Sequence, residues 1–518
     1  MPLPRSAITT NEGKMPTLCS IDVGSNAMRL AIGFLDHNRK LHIVEDLREP
    51  VRLGKDVFTN GTISRETTQK AIEAFNHFKE LIEQHQVVKT RAVATSAVRE
   101  ARNGAEFIKK IYQATGIELK PITSEEEALL VHLAVSKKIS LDGKTAMLID
   151  IGGGSVEVTL ARNNKILATE SFQMGAVRLL QVLEEKKYGE KKFNLMVQEY
   201  VEAAQRRFNQ KLPNEKADIC VGTGGNLDTL LVLKKQLLRK NTSDIFVTRL
   251  ELELIYNRLK KLSYNDRITR LGLRPDRADV IIPAITVLQK LMVVGKVNRV
   301  YIPNVGVKEG LLIDMVPEFL TGKAPLHRDE VLASIRQTGQ KYKYDEPHAE
   351  TVARLSLELF DKTKKLHRLG DENKLLLEAA AHLHDIGQYI SYASHHKHSY
   401  YLIRASQHIG LNPNQVNLIA NIGRYHRKAM PKATHDNYRS LLPREKIIVS
   451  KLASILRIAD AMDRDHSSRV KSFRVEFKKP HFAIKLVGQG DMLLERWALL
   501  KKADLFQKTF KVKFSVRS

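Results

Sequence analysis

Cysteine is almost absent: the chain has 518 residues and two cysteines, Cys19 and Cys220. Such a pair, far apart in sequence, excludes a disulfide framework and any cysteine-based zinc spacing, and it points to a reducing, cytoplasmic setting. Long hydrophobic runs are missing too. The most apolar stretch, Val280 to Val294, contains Gln289 and Lys290, which predicts a buried helix rather than a transmembrane segment. Met1 to Lys14 has no apolar core of signal-peptide length. No zinc finger, RNA-recognition signature or basic–aromatic ladder occurs, so no specific nucleic-acid partner is expected. Acidic residues are scarce beside basic ones: 58 Asp and Glu face 84 Lys and Arg, for a formal net charge of +26. So large an excess implies an anionic partner: nucleic acid, a membrane surface or a phosphate-rich substrate. Peripheral attachment to a membrane through basic charge stays open on these grounds.

With 43% hydrophobic and 27% charged residues the chain reads as soluble and globular. Its length exceeds one ordinary core and predicts several domains. The basic residues lie in short clusters, such as Lys186-Lys187, Lys191-Lys192, Lys234-Lys235 and Lys364-Lys365, and not in one tail. Any one pair is explained by a solvated helix face. The total is not.

The organising feature is an internal echo. Ser20-Ile21-Asp22-Val23-Gly24-Ser25-Asn26 is repeated in form by Leu148-Ile149-Asp150-Ile151-Gly152-Gly153-Gly154-Ser155. Each is an apolar strand ending in Asp-x-Gly and a small polar turn. Each is followed by an alternating strand (Met28 to Phe34; Val156 to Ala161), a polar hairpin turn and a further strand. Helical patterns follow, as in Ser64 to Gln86, and a strand is expected over Val88 to Thr95. Strands alternating with helices indicate an α/β class, with two similar lobes facing a cleft. From about residue 312 the pattern is nearly all helical and rich in histidine, and from about Ser472 alternation returns. The expected domains are 1–136, 137–311, a helical domain 312–471 and a small α+β unit 472–518.

The chemistry sits in the echoed turns. A glycine-rich turn after a strand lets backbone N–H groups converge on an anion. Gly24, Ser25 and Asn26 form one such turn, and Gly152, Gly153, Gly154 and Ser155 another. A third, Gly222-Thr223-Gly224-Gly225-Asn226, follows Cys220-Val221. Asp22 and Asp150 end their strands, and carboxylates beside a bound phosphate are natural holders of Mg2+. One glycine turn is ordinary tight-turn chemistry. Three in order resemble the phosphate clamp of the actin and sugar-kinase class, with its ribonuclease H-like lobes.

The resemblance narrows with Ala94-Thr95-Ser96-Ala97-Val98-Arg99, Ile122-Thr123-Ser124-Glu125-Glu126-Glu127-Ala128, Val156-Glu157, Arg277-Ala278-Asp279-Val280 and Gly306-Val307-Lys308-Glu309-Gly310, in that order. The set resembles the exopolyphosphatase / guanosine pentaphosphate phosphohydrolase (Ppx/GppA) family, and the match covers most of the chain. His395-His396-Lys397-His398-Ser399-Tyr400-Tyr401 and Arg424-Tyr425-His426-Arg427-Lys428 are similar to the helical domain of its long members. Ala27, where a hydroxyl residue is common, and Lys308, where many members carry Arg, depart from the family pattern.

The resemblance implies roles. Ser124 and Glu127 fit a Ser-x-x-Glu capping box, which leaves Glu126 free to face the cleft, and the family's catalytic glutamate falls on Glu126. Glu126 is therefore expected to activate water. Asp150 and Glu157, with Asp22, are expected to hold Mg2+. Arg29, Arg99 and the backbone of the three turns, including Gly224 and Gly225, are expected to bind phosphate, for which the arginine fork is suited.

In the helical part, His348, His384-Asp385 and Asp460 follow the order of an HD-type metal phosphohydrolase, and His398 and His426 are candidates to extend the set. The alternative there is an accessory domain that keeps the fold without a metal. The resemblance implies hydrolysis of terminal phosphate from inorganic polyphosphate, or alternatively from guanosine pentaphosphate, by a homodimer. Charge favours polyphosphate, because a long polyanion needs a basic track beyond the active site. A non-catalytic sensor of polyphosphate or nucleotide, and an actin-like ATPase or kinase, are the readings of other classes.

Overall fold

The computed structural model describes residues 16–184, 197–199, 202, 206, 217–238, 243–322, 325–490 and 492–517. Lys186-Lys187, Lys191-Lys192 and the stretch Met1 to Lys14 lie outside the described residues. The chain divides into two compact units, Met1–Pro325 and Leu326–Ser518. No helix among the described residues is long and apolar enough to cross a membrane.

The first unit contains two sheets of matching topology. One consists of β1 (Thr17–Val23), β2 (Met28–Leu35), β3 (Leu41–Glu49), β4 (Lys89–Ala94) and β5 (Leu119–Pro121), in the order β3-β2-β1-β4-β5. The other consists of β6 (Thr145–Ile151), β7 (Val156–Arg162), β8 (Lys165–Phe172), β9 (Ile219–Thr223), β10 (Phe246–Thr248) and β11 (Arg299–Tyr301), in the order β10-β11-β9-β6-β7-β8. In each, the hairpin strands pair antiparallel and the next strand returns parallel to the first. This is the arrangement of two actin-like lobes that the repeated Asp-x-Gly strands predicted. β1 and β6 are buried along nearly their whole length, which accounts for their largely apolar sequences.

Helix Arg65–Gln84 starts where Ser64 accepts a hydrogen bond from the Thr67 N–H. It buries Thr68, Ala71, Phe75 and Phe78, a helical stripe, against the first sheet. The lobes are joined by a shared core to which both sheets contribute, through Leu18, Ala31, Ala146 and Leu148. Helices Ser124–Ser136 and Val307–Thr321 cross in this core. A Cβ on Gly310 would lie 1.9 Å from the Leu130 carbonyl oxygen, so only glycine permits the crossing. The boundary expected at 311/312 falls inside helix Val307–Thr321, whose Leu311, Leu312 and Met315 are buried in that shared core. The helix therefore belongs with the sheets, and the units divide at 325/326.

The second unit packs helices Arg328–Lys341, Glu346–Lys362, Asp371–Leu383, His395–Ala405, Pro413–Arg424 and Pro443–Ala461. Three strands, β12 (Val470–Lys478), β13 (His481–Gly488) and β14 (Lys513–Arg517), and two short helices follow. Phe473, Phe482, Ile484 and Phe506 belong to the same hydrophobic cluster as Leu355, Leu377 and Leu456. The C-terminal α+β segment thus shares one core with the helices.

Candidate active site

The repeated strands put equivalent groups at equivalent places. Asp22 on β1 pairs in register with Arg29 on β2, and Asp150 on β6 with Glu157 on β7. The turns between them close alike: the Gly24 N–H donates to Ala27 O and the Gly152 N–H to Ser155 O, each at 3.1 Å. The third turn needs glycine at position 224, and at position 225 glycine leaves room for two guanidinium groups. Gly224 has a φ of +98°, and a Cβ there would meet the Ile151 carbonyl oxygen at 2.6 Å. A Cβ on Gly225 would meet the guanidinium of Arg277 at 2.2 Å and that of Arg29 at 2.6 Å. The three turns surround a small cavity of about 70 Å³, into which Asp22, Glu127 and Asp150 also open.

Glu127, Asp150 and Glu157 each offer an oxygen, and the three oxygens lie within 4.8 Å of one another. All three side chains are buried. Glu157 accepts from Ser171 Oγ at 2.8 Å and Asp150 from Thr223 Oγ1 at 2.7 Å. Glu157 Oε2, Glu127 Oε2 and Asp22 Oδ1 are buried without a hydrogen-bond partner. Burial and the negative charges of Glu157 and Asp150 push the Glu127 carboxyl well above the usual range. Burial, with Asp150 beside it, raises Glu157 to about 7, and burial raises Asp22 to about 6. Unpaired buried carboxylates are costly unless a cation joins them. An all-carboxylate donor set suits a hard divalent ion such as Mg2+.

The two neighbouring glutamates exchange the places expected of them. The N-cap is Thr123, not Ser124, so the capping box pairs Thr123 with Glu126. Glu126 accepts the Thr123 N–H at 2.9 Å, and its own N–H donates to Thr123 Oγ1 at 3.2 Å. Its second oxygen lies 3.6 Å from Lys120 Nζ. Glu126 thus stays at the helix end and Glu127 turns into the cleft. The sequence holds both Thr123-x-x-Glu126 and Ser124-x-x-Glu127, and a capping pattern alone does not choose between adjacent registers.

The arginines also divide. Arg29 lines the small cavity, with Nη1 4.0 Å from Asp22. Arg99 instead donates to Ile122 O at 2.6 Å and Ser124 Oγ at 3.1 Å, and lies 3.9 Å from Glu127. It braces the start of the glutamate helix and is absent from the lining of the cavity. Ser25 bonds Ser96 Oγ at 2.9 Å, and Asn26 Nδ2 donates to Asp276 O at 2.8 Å, tying the turn to helix Pro275–Ala278. Arg277 belongs to the Arg277-Ala278-Asp279-Val280 motif, to which the sequence alone attaches no role. Here Arg277 is buried, donates to Asn226 Oδ1 at 3.0 Å and lines the small cavity. Burial, with Arg29 and Arg48 nearby, presses its pKa down, so an anion beside it relieves the strain on its charge.

A larger cavity of about 710 Å³ adjoins the small one and shares Arg29, Gly224, Gly225 and Arg277 with it. Arg48, Arg274 and Lys308 extend its basic lining. Arg48 pairs with Asp276, and Lys308 with Glu309 and, at 2.9 Å, Asp46. Of the histidine set, His348, His384, Asp385 and Asp460 come together in the second unit, as does His426. His398 does not join them; His395, three residues earlier, does.

The sequence matches the Ppx/GppA phosphatase family over residues 35–319 and domain III of that family over residues 332–509. The chain is 25% identical over 455 residues to a guanosine-5'-triphosphate,3'-diphosphate pyrophosphatase of Aliivibrio fischeri, covering 86% of each. It is 25% identical over 445 residues to that of Pseudoalteromonas translucida, covering 85% of each. A crystal structure of an exopolyphosphatase from Cytophaga hutchinsonii has the same fold, with a TM-score of 0.55 and 24% identity over 58% of this chain and 98% of that one. The Aquifex aeolicus member of the Ppx/GppA family gives 0.50 and 24% over 60% of this chain and all of that one.

Proposed function

The chain belongs to the Ppx/GppA phosphatase family and is a phosphoanhydride hydrolase, and we propose that it removes terminal orthophosphate from inorganic polyphosphate, with Glu127 as general base. The observation that carries this reading is the buried carboxylate group, Glu127, Asp150 and Glu157, opening beside three anion-binding turns.

The terminal phosphoryl group sits against the N–H groups of the Gly24, Gly153 and Gly224 turns, with Arg29 and Arg277 beside its oxygens. Asp150 and Glu157 would hold Mg2+, which would offset the charge that develops on the phosphate oxygens. A water molecule attacks phosphorus while Glu127 takes its proton. The anhydride P–O bond breaks, and its electrons stay on the terminal oxygen of the shortened chain. Burial beside Glu157 and Asp150 raises the proton affinity of Glu127, which favours its taking a proton from water.

The excess of cations in the lining past the clamp, Arg29, Arg48, Arg274, Arg277 and Lys308 against Asp46, Asp228 and Glu309, with a net charge of +26 for the chain, supports a long polyanion over a small nucleotide. The second reading, guanosine pentaphosphate as substrate, is favoured by the names of the relatives aligned over most of the chain. A cytoplasmic homodimer belongs to the same proposal, and light scattering tests the dimer. The deciding assay is phosphate release with Mg2+ from long-chain polyphosphate, guanosine pentaphosphate and ATP. The highest kcat/KM on polyphosphate is expected. Preference for guanosine pentaphosphate makes the second reading correct, ADP formation as the main product makes the protein an ATPase, and binding without release makes it a sensor.

A further inference from the structure

The second unit carries a group of ligating side chains that the clamp reaction does not use. His348, His384 and Asp460 each offer one atom, all within 4.8 Å of one another, and so do Asp385, His395 and His426. The two triads are contiguous. His384 Nε2 lies 3.7 Å from Asp385 Oδ1 and 3.8 Å from Asp460 Oδ1. Asp385 Oδ1 is also 3.0 Å from His395 Nε2 and 3.3 Å from His426 Nε2.

The rings are oriented by a second layer of bonds. Nδ1 of His384 and His426 faces the backbone carbonyls of Ala381 and Gly423, at 2.7 and 2.6 Å, whereas His395 Nδ1 lies 3.2 Å from Tyr392 O and 3.1 Å from Arg427 Nη1. Nδ1 of His348 faces the Asp463 carboxylate at 2.8 Å. A carbonyl or carboxylate only accepts, so Nδ1 of His348, His384 and His426 carries the proton and their Nε2 atoms keep their lone pairs, while Arg427 Nη1, 3.1 Å from His395 Nε2, donates to that ring. These lone pairs point at Asp385 and Asp460. His348 Nε2, His384 Nε2 and Asp385 Oδ1 are buried with no hydrogen-bond partner. Lone pairs converging on a carboxylate oxygen repel it, and cations between them remove the conflict.

Four imidazoles and two carboxylates exceed what one tetrahedral ion takes, and Asp385 lies between the triads. The donor set, nitrogen-rich with carboxylate, fits first-row transition metals better than Mg2+. Asp385, His395, His426 and Asp460 open on a cavity of about 430 Å³. Arg427, Lys428, Arg464 and Lys501 line it, with the exposed ring of Trp497 at one side. Cations around the metal ligands call for an anionic guest, and an aromatic face suits a planar base.

We propose that the second unit holds two divalent transition-metal ions bridged by Asp385 and is a separate hydrolytic centre that cleaves a phosphate ester of a nucleotide. Water attacks phosphorus, the P–O ester bond breaks with its electrons going to the leaving oxygen, and the proton lost by water ends on that oxygen. Lys502, which contacts the outer oxygen of Asp460, holds that carboxylate in place. The proposal does not rest on the reading of the clamp.

The test uses the full chain loaded with Mn2+ as probe, in wild type, Asp385→Asn, His426→Ala and Glu127→Gln. Metal content and the spin-coupled Mn2+ resonance signal are read first, then hydrolysis of AMP, 3′,5′-cyclic AMP and bis-p-nitrophenyl phosphate, and phosphate release from polyphosphate. Wild type and Glu127→Gln are expected to show the coupled pair and ester hydrolysis. Asp385→Asn is expected to lose the coupled signal and to lower ester hydrolysis by about 100-fold or more, with release from polyphosphate unchanged. His426→Ala decides the matter if Asp385→Asn does not fold. Absence of a coupled pair in wild type, metal bound without ester hydrolysis, or ester hydrolysis that disappears with Glu127→Gln instead of Asp385→Asn, each overturns the proposal.

Discussion

Replacing Glu126 and Glu127 one at a time separates two carboxylates that differ by a single position. Glu127→Gln keeps the volume of the side chain and removes its ability to accept a proton. General-base catalysis contributes about 10²–10⁴-fold, so kcat on polyphosphate is expected to fall by that factor, or about 3–5 kcal/mol of transition-state stabilisation. KM should move little, because phosphate is held by the turns and by Arg29 and Arg277. The same change removes one of three mutually repelling buried carboxylates. The metal-free protein should therefore melt at a higher temperature, and added Mg2+ should stabilise it less than it does wild type. Glu126 has a different role. Glutamine can replace it in the capping box, so Glu126→Gln should be close to wild type in rate and stability. Glu126→Ala leaves the Thr123 N–H without its acceptor and should cost about 1 kcal/mol, with only a small fall in kcat. Steady-state phosphate release and calorimetry on the four proteins decide it. Loss of activity in Glu126→Gln with retention in Glu127→Gln would refute the assignment.

Three further outcomes follow from the geometry. Because Glu157 is raised to about 7 and Asp22 to about 6, the folded, metal-free first unit binds more protons than the unfolded chain between their ordinary range and those values. Its stability is therefore complete at low pH and is lost as pH rises through about 6 to 7; calorimetry in EDTA should show it, Mg2+ at pH 8 should reverse it, and a rise with pH would contradict it. Arg277→Ala removes a buried cation from the clamp and leaves Asn226 Oδ1 without its donor, so KM for polyphosphate should rise at least about tenfold and its salt dependence should weaken, whereas an unchanged KM argues that phosphate does not reach this residue. Gly310→Ala drives a methyl group into the Leu130 carbonyl at 1.9 Å and should destabilise the first unit by about 1–3 kcal/mol or more, measured by denaturant titration; a neutral result means the helices can separate at no cost.

Much of this was legible in the sequence, for identifiable reasons. The repeat of Asp-x-Gly after an apolar strand is a backbone pattern, and the backbone obeys it: Asp22 and Asp150 stand at matching places, as do the two turn hydrogen bonds. Helix Arg65–Gln84 begins at the expected cap. What was not legible depends on one-residue register or on tertiary contact. The choice between Glu126 and Glu127 turns on which of two adjacent hydroxyl residues caps the helix. The substitution of His395 for His398 is a matter of helix phase, since residues three apart share one face and either could have pointed inward. Arg277 reaches the clamp from more than fifty residues beyond Asn226, and no local pattern announces that. The boundary near 312 failed because helix content changes there while burial does not: Leu311, Leu312 and Met315 continue into the core shared by the two sheets.

The two turns are alike in backbone and unlike in charge, and that difference is where the chemistry resides. At one position in the repeat, the residue opposite the strand-ending aspartate is Arg29; at the same position in the other copy it is Glu157. Arg29 lies 4.0 Å from Asp22, so the first copy is close to neutral as a pair. Asp150 and Glu157 both carry acid, and Glu127 adds a third, with no cation within ion-pair distance of Asp150 or Glu157 among the described residues. On the proposed reading the first copy offers phosphate a guanidinium and, through Glu127, the base, while the second offers the carboxylate pair that would recruit a divalent ion. A symmetric pair of arginines would bind an anion without the means to activate water. A symmetric pair of glutamates would repel the substrate. Breaking the repeat at this one register position puts a guanidinium in one lobe and a carboxylate pair in the other, so the clamp needs groups from both lobes around one phosphoryl group.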